Sequence, residues 1–289
     1  MTTGGMRNAM GETSIERLTD LRLGQGQAAL SWFGQASFAA RGGGLTVLFD
    51  PFLSAYPGRL HPSPLLPNQA VGVDVVFCSH EHVDHLDVPS VGAIASASPE
   101  AIFVVPSPIV DMVTETGVSG DRVVGLQPGD ATEVGGITVR AVPACHGVTM
   151  EDAYGFGESL SGGLIRFLGF VVDLGGVRIY HAGDTIHYEG MEEMLDELAV
   201  DVALMPINGR DAEREARNIV GNLDHREAAW LASRIDADVL VPMHYDLFAG
   251  NLGSTGALME TVGREFPEVP VLVPARDKPF VCTARTAET

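Results

Sequence analysis

The chain has 289 residues, 45% of them apolar, with 34 glycines and 17 prolines, which is enough to bury a core joined by many loops. It carries 38 acidic against 18 basic residues, a formal net charge of -20, and Lys278 is the single lysine, so the surface disfavours nucleic acid and anionic membranes. Three cysteines are too few for a disulfide framework, and neither a signal peptide nor a membrane-length apolar run is evident, so a cytoplasmic setting is expected.

In chain order, residues 1–13 read as an unstructured terminus and 14–289 as one αβ domain. A short helix is expected over 14–23, then strands at 28–33, 37–40 and 45–49, the last ending at Asp50-Pro51. A long Pro/Gly-rich loop spans 51–72. Val73 to Cys78 reads as a buried strand, and a helix follows the polar cluster after it. Further expectations are a strand at 101–105, a helix at 107–116 stopped by Gly117, and a hairpin over 130–142 turning at Gly135-Gly136. A second long loop covers 148–163. Strands at 164–174 and 177–181 flank Gly175-Gly176. The rest reads as a helix at 189–198, a strand at 200–205 and a polar loop at 207–223. A helix capped by Asp224 with Glu227 follows, then a strand at 239–243, a helix at 254–266 and a closing strand at 269–273. Strands dominate early and alternate with helices later, which suggests packed sheets with helices outside.

The run His80-Glu81-His82-Val83-Asp84-His85 places three imidazoles and a carboxylate within six residues, directly after an apolar strand. His80, His146, Asp184 and His244 each follow a short apolar run and open a loop, and strand ends fix ligands while leaving them accessible. Imidazole with carboxylate suits zinc, manganese or iron. The helical His-Glu-x-x-His motif is absent, because Asp84 stands four residues after His80.

His-x-His-x-Asp-His, followed by a distant His, an Asp and a final His, resembles the metallo-β-lactamase superfamily. Within it, 81–87, His181-Ala182-Gly183-Asp184-Thr185, 200–206 and Val241-Pro242-Met243-His244-Tyr245-Asp246 resemble the L-ascorbate-6-phosphate lactonase family, over most of residues 30–275. The resemblance implies a four-layer αββα sandwich with two divalent metal ions, zinc or manganese, at one edge between the sheets. By it, His80, His82 and His146 hold one metal, Asp84, His85 and His244 the second, and Asp184 bridges both. The implied reaction is attack by a bridging hydroxide on a lactone or related ester, with or without a phosphate group, with Asp84 orienting the nucleophile. The resemblance also implies a homo-oligomer.

Around this set, Asp50, Asp87 and His181 are expected to support ligand histidines by hydrogen bonds. His187 and Tyr245 are expected to act near the nucleophile, and Asn208, Arg210 and His225 to contact a small-molecule substrate. Competing readings are a small-molecule or lipid-like phosphodiesterase of the same fold and a non-catalytic metal-binding protein. A nuclease fits poorly with an acidic chain. A β-lactamase fits poorly with Asp184 where those enzymes commonly carry cysteine, and an oxygen-reducing di-iron protein lacks a following flavin module.

Overall fold

A computed structural model describes residues 12–285. Two β-sheets lie face to face, and the period-2 alternation of their strands explains why. In β1 (Gln27–Gly34), β3 (Leu45–Phe49) and β4 (Val75–Phe77), alternate side chains enter different cores. Leu30, Val47, Phe49, Val75 and Phe77 join the core between the sheets. Ala29, Phe33, Leu48 and Val76 point the other way, to a second core. With both faces buried, these strands read in sequence as unbroken apolar runs.

The first sheet has seven strands in the order β13-β1-β2-β3-β4-β5-β6, with β2 at Ser37–Gly42, β5 at Ile102–Pro106, β6 at Val123–Leu126 and β13 at Phe280–Thr283. Its outer face is covered by α1 (Ser14–Thr19), α2 (Val88–Ala97) and α3 (Val110–Thr114), which contribute Ile15, Leu18, Val91, Ile94 and Val113 to the second core. The second sheet has six strands in the order β12-β11-β10-β9-β8-β7. These are β7 (Ala131–Val134), β8 (Ile137–Pro143), β9 (Leu168–Leu174), β10 (Val177–His181), β11 (Val202–Pro206) and β12 (Val239–Met243). Against it lie α4 (Met191–Glu197) and α6 (His225–Arg234), with the short α5 (Ala212–Glu215) in the polar loop and α7 (Thr255–Glu265) packed on α6. The expected α+β sandwich is the observed one.

The structure corrects the expected elements in several places. The closing strand at 269–273 is not formed: Val271 makes one bridge to Leu240, and the closing strand is β13, antiparallel to β1 on the other sheet. Pro270 lies within that segment and Pro274 directly after it, and the two withhold donors. The strand expected from 164 begins at Leu168, because Gln127 holds Ile165 through both its amide oxygen and its amino group. The strand β6 was not expected; it carries only four residues with a glycine among them. The N-terminal segment lies outside the described residues up to residue 11, and Thr13 is ordered as the cap of α1 in a capping box with Glu16.

Candidate metal centre

Sheet direction brings the polar strand ends together. β8 and β10 are each antiparallel to β9, and β10, β11 and β12 run parallel, so β8, β10 and β12 deliver their C-terminal ends to one edge. Those ends lead into His146, Asp184 and His244. On the facing sheet, β4 leads through Cys78 and Ser79 into His80, and the turn 82–86 closes with the N–H groups of His85 and Leu86 both donating to the His82 carbonyl.

Two groups of side chains there can hold a metal ion: His80, His82, His146 and Asp184, and Asp84, His85 and His244. Within each group the ligand atoms lie within 4.8 Å of one another. Asp184 faces both. Its Oδ2 lies 3.5 Å from His146 Nε2, while its Oδ1 lies 3.3 Å from His244 Nε2 and 3.4 Å from His85 Nε2. His80 Nε2 and His82 Nδ1 converge at 3.0 Å. Asp184 Oδ1 and His85 Nε2 are buried without a hydrogen-bond partner. Buried lone pairs left open and aimed at one another are what a cation satisfies, so the donor set fits divalent metal.

One buried carboxylate sets the ring protons. Asp50, in left-handed backbone geometry (φ 41°) just after β3, accepts from Ser79 N–H at 2.7 Å, from Ser79 Oγ at 2.7 Å and from His85 Nδ1 at 2.6 Å. In its neutral form His85 therefore carries its proton on Nδ1, and Nε2 is the nitrogen it offers to metal. Ser79 Oγ, having donated to Asp50, accepts from His80 Nδ1 at 2.9 Å, which leaves His80 Nε2 open as well. His181 turns away from the ligand atoms: its Nε2 donates to the Ala36 carbonyl at 2.8 Å, and its ring stacks on Phe49 at 5.2 Å.

The two groups differ electrostatically. Burial pushes His80 well down and His146 down to about 3, so both are neutral at pH 7. Burial also opposes charge on His85 and His244, but carboxylates outweigh it, Asp184, Asp50 and Asp84 at His85 and Asp184 and Asp84 at His244: His85 is held well above its ordinary value and His244 at about 9. Burial would raise Asp84 and Asp184, yet the histidines facing them hold both carboxylates below the usual range.

Both long loops border this edge. His146 bridges to Gly155, and Arg166 joins Glu81 of the histidine cluster (2.5 Å) to Asp152 (2.8 Å). The first loop pairs with the chain after His244, through Leu60 N–H to the Leu247 carbonyl at 2.8 Å. Phe167 stands edge-on to His80 and His146 at 5.4 and 5.5 Å and forms an apolar wall.

Several expected contributors are committed elsewhere. Asp87 neither caps α2 by its side chain nor orients a histidine; it accepts from the N–H groups of Leu53 and Ser54 and from the hydroxyls of Ser54 and Ser90, pinning the start of the first loop. Arg210 forms a forked ion pair with Glu227 at 2.6 and 2.7 Å. Asn208 is buried between Asn251 and Asn222. His225 opens α6 without hydrogen-bonding a ligand side chain. His187 pairs with Glu192 at 2.8 Å and packs edge-on to Trp230, and the Tyr245 ring stacks on Trp32 at 5.1 Å. Among the described residues neither joins a ligand group. Sequence reading missed Ser79, Phe167, Arg166 and Gln35, whose Nε2 lies 2.7 Å from Asp84 Oδ2. Ser79 had a signal, its place between a buried strand and His80. Gln35 had only its place in a two-strand turn.

The profile of the beta-lactamase superfamily domain matches residues 46–245, which contain every ligand side chain named above. The chain belongs to the beta-lactamase superfamily. Among its superfamily relatives, a UPF0173 metal-dependent hydrolase of Methanoculleus marisnigri is 31% identical, covering 76% of this chain and 81% of that one. Another, of Aeropyrum pernix, is 32% identical and covers 76% and 84%. The solved structure of Igni18, a metallo hydrolase of Ignicoccus hospitalis, shares the superfamily fold at TM-score 0.69 and 22% identity, covering 90% of this chain and all of that one.

Proposed function

We propose that the chain is a metal-dependent hydrolase with a dinuclear centre, acting on an uncharged lactone or related ester of a small molecule. The observation that carries this is Asp184, whose two carboxylate oxygens face separate ligand groups. The metal-dependent hydrolases among the superfamily relatives support the reaction class. Two divalent ions, zinc or manganese, supply Lewis acidity and make water acidic enough to attack at neutral pH.

The chain's own residues prepare that chemistry. Asp50 and Ser79 fix the ring protons of His85 and His80 on the nitrogens that face away from the centre. Phe167 keeps one wall apolar, which strengthens the charge interactions beside it. Asp84 is the more exposed of the two ligand carboxylates, at 17% of its side chain against 6% for Asp184, and is the group an incoming water meets. Nearby arginines are already engaged: Arg166 with Glu81 and Asp152, Arg276 with Asp246, and Arg59 with the carbonyls of Phe52, Ser54 and His61. Carboxylates neutralise Arg166 and Arg276, and Arg59 alone of the three keeps its charge, so the protein offers no cluster of cations for a phosphate, which favours a neutral carbonyl substrate over a phosphodiester.

A hydrolysis screen of lactones, esters and phosphodiesters at defined metal content tests this, with Asp184→Asn as control. Turnover of a lactone or ester that needs metal and falls at least about 10³-fold in the variant is expected. Equal turnover by both proteins, or by chelated protein, sinks the reading.

A further inference from the structure

Gln35 occupies the turn between β1 and β2, in left-handed backbone geometry (φ 52°), and is buried. Its main chain is held at both ends: its N–H donates to Asp246 Oδ1 at 3.0 Å, and its carbonyl accepts from Trp32 Nε1 and from His244 N–H, each at 3.0 Å. His244 is itself left-handed, at φ 57°. The turn and the exit of β12 thus form a clasp across the two sheets.

The side chain uses that clasp. Its Nε2 lies 2.7 Å from Asp84 Oδ2 and 3.0 Å from His244 Nε2. The atom against Asp84 is the amino group, since an amide oxygen there would set two acceptors 2.7 Å apart. Asp84 Oδ2 is also the oxygen facing the ring nitrogens of His244 at 3.4 Å and His85 at 3.8 Å, so the oxygen Gln35 holds is the one in the ligand group. Two of the neighbouring ligand histidines have their own support: His85 leans on Asp50 and His80 on Ser79. Asp84 has Gln35 as its side-chain donor, and Gln35 makes no hydrogen bond to His80, His82 or His146.

We propose that Gln35 is a positioning residue for the Asp84–His85–His244 group alone, fixing the Asp84 oxygen that binds metal and so setting the affinity of the second of two metal sites. This rests on the two-metal reading above. Without the amide donor the Asp84 carboxylate loses the side-chain hydrogen bond that fixes its orientation, and a less anchored carboxylate holds metal less well.

The test is a zinc titration of chelated full-length protein, followed by calorimetry, for wild type and Gln35→Met, which keeps volume and removes the donor. The expected result is two binding steps in wild type, with the second weakened 10- to 100-fold in the variant and the first unchanged. Both steps unchanged, or both weakened alike, overturns the role of Gln35. A stoichiometry of one zinc per chain in wild type overturns the two-metal reading itself, so the two failures are distinct. Circular dichroism of the metal-free variant checks folding, and Gln35→Ala carries the same expectation should the thioether not fit.

Discussion

Asp50 touches no ligand-facing atom, yet through it the ring protons of His85 and His80 are placed. Asp50→Asn is nearly isosteric and isolates that effect. An amide oxygen still accepts from Ser79 N–H, but an amide N–H set against His85 Nδ1 favours the other tautomer, with the proton on Nε2 facing the centre. Metal affinity is expected to fall about 10- to 100-fold, with a stability loss of about 1–3 kcal/mol in the chelated protein. Equilibrium dialysis and urea unfolding measure the two, and an unchanged affinity would falsify the role given to Asp50. The contrast with Arg210 is instructive. Both residues stand at loop openings in the sequence, but Arg210 faces Glu227 across the start of α6 and is neutralised there. Only packing distinguishes a free cation from a paired one.

At the scale of elements, the strand ends were legible because each combines an apolar run, a break in it and a polar side chain. His80, His146, Asp184 and His244 were found that way, and the structure brings them to one edge. Less legible was what depends on pairing between distant segments. The run at 269–273 has as good an apolar pattern as Phe280–Thr283, but it meets the edge of β12 at Val271 alone, whereas the latter pairs in register along the edge of β1. Gln35 reads as an ordinary turn residue because its partners Asp84 and His244 are 49 and 209 residues away. Glycine geometry supplies an element-level test. Gly183, between β10 and Asp184, has φ 60°, and a β-carbon there would sit 2.8 Å from the Leu168 carbonyl oxygen and 2.8 Å from Ser79 Cβ. Backbone strain and overlap with a neighbouring main chain add. Gly183→Ala is expected to cost about 2–4 kcal/mol and to displace Asp184, so that folded variant retains less metal than wild type. Thermal unfolding with metal analysis checks it; a variant of wild-type stability and metal content contradicts the tight packing described.

For the molecule as a whole, the two ligand groups oppose one another in pH when metal is removed. Unfolded histidine titrates near pH ~6.5. His85 and His244 are raised in the fold, His244 to about 9, because facing carboxylates outweigh burial: Asp184, Asp50 and Asp84 at His85, Asp184 and Asp84 at His244. Their contribution is fully present below about pH 6.5 and is lost as pH rises through about 9. His80, His82 and His181 are lowered, and His146 lowered to about 3, because burial disfavours the charged ring. The unfolded chain binds more protons at these four positions as pH falls below about 6.5, so they withdraw stability on the acid side. Chelated protein is therefore expected to be most stable near pH ~6.5 and to weaken in both directions. Burial also pushes Cys145 and Cys282 up to about 11, which adds a loss of the same sign above about pH 8, so the informative window is about 6.5 to 8. Across it His244 accounts for at most about 2 kcal/mol. Metal replaces the protons on His85 and His244, so the loaded protein has no such alkaline slope. Urea midpoints of chelated and zinc-loaded protein between pH 5 and 8 measure both limbs, and His244→Asn in the chelated state removes part of the alkaline one. A chelated protein whose stability holds level or rises from pH 6.5 to 8 contradicts the ion pairing drawn between Asp184, Asp84 and the two raised histidines.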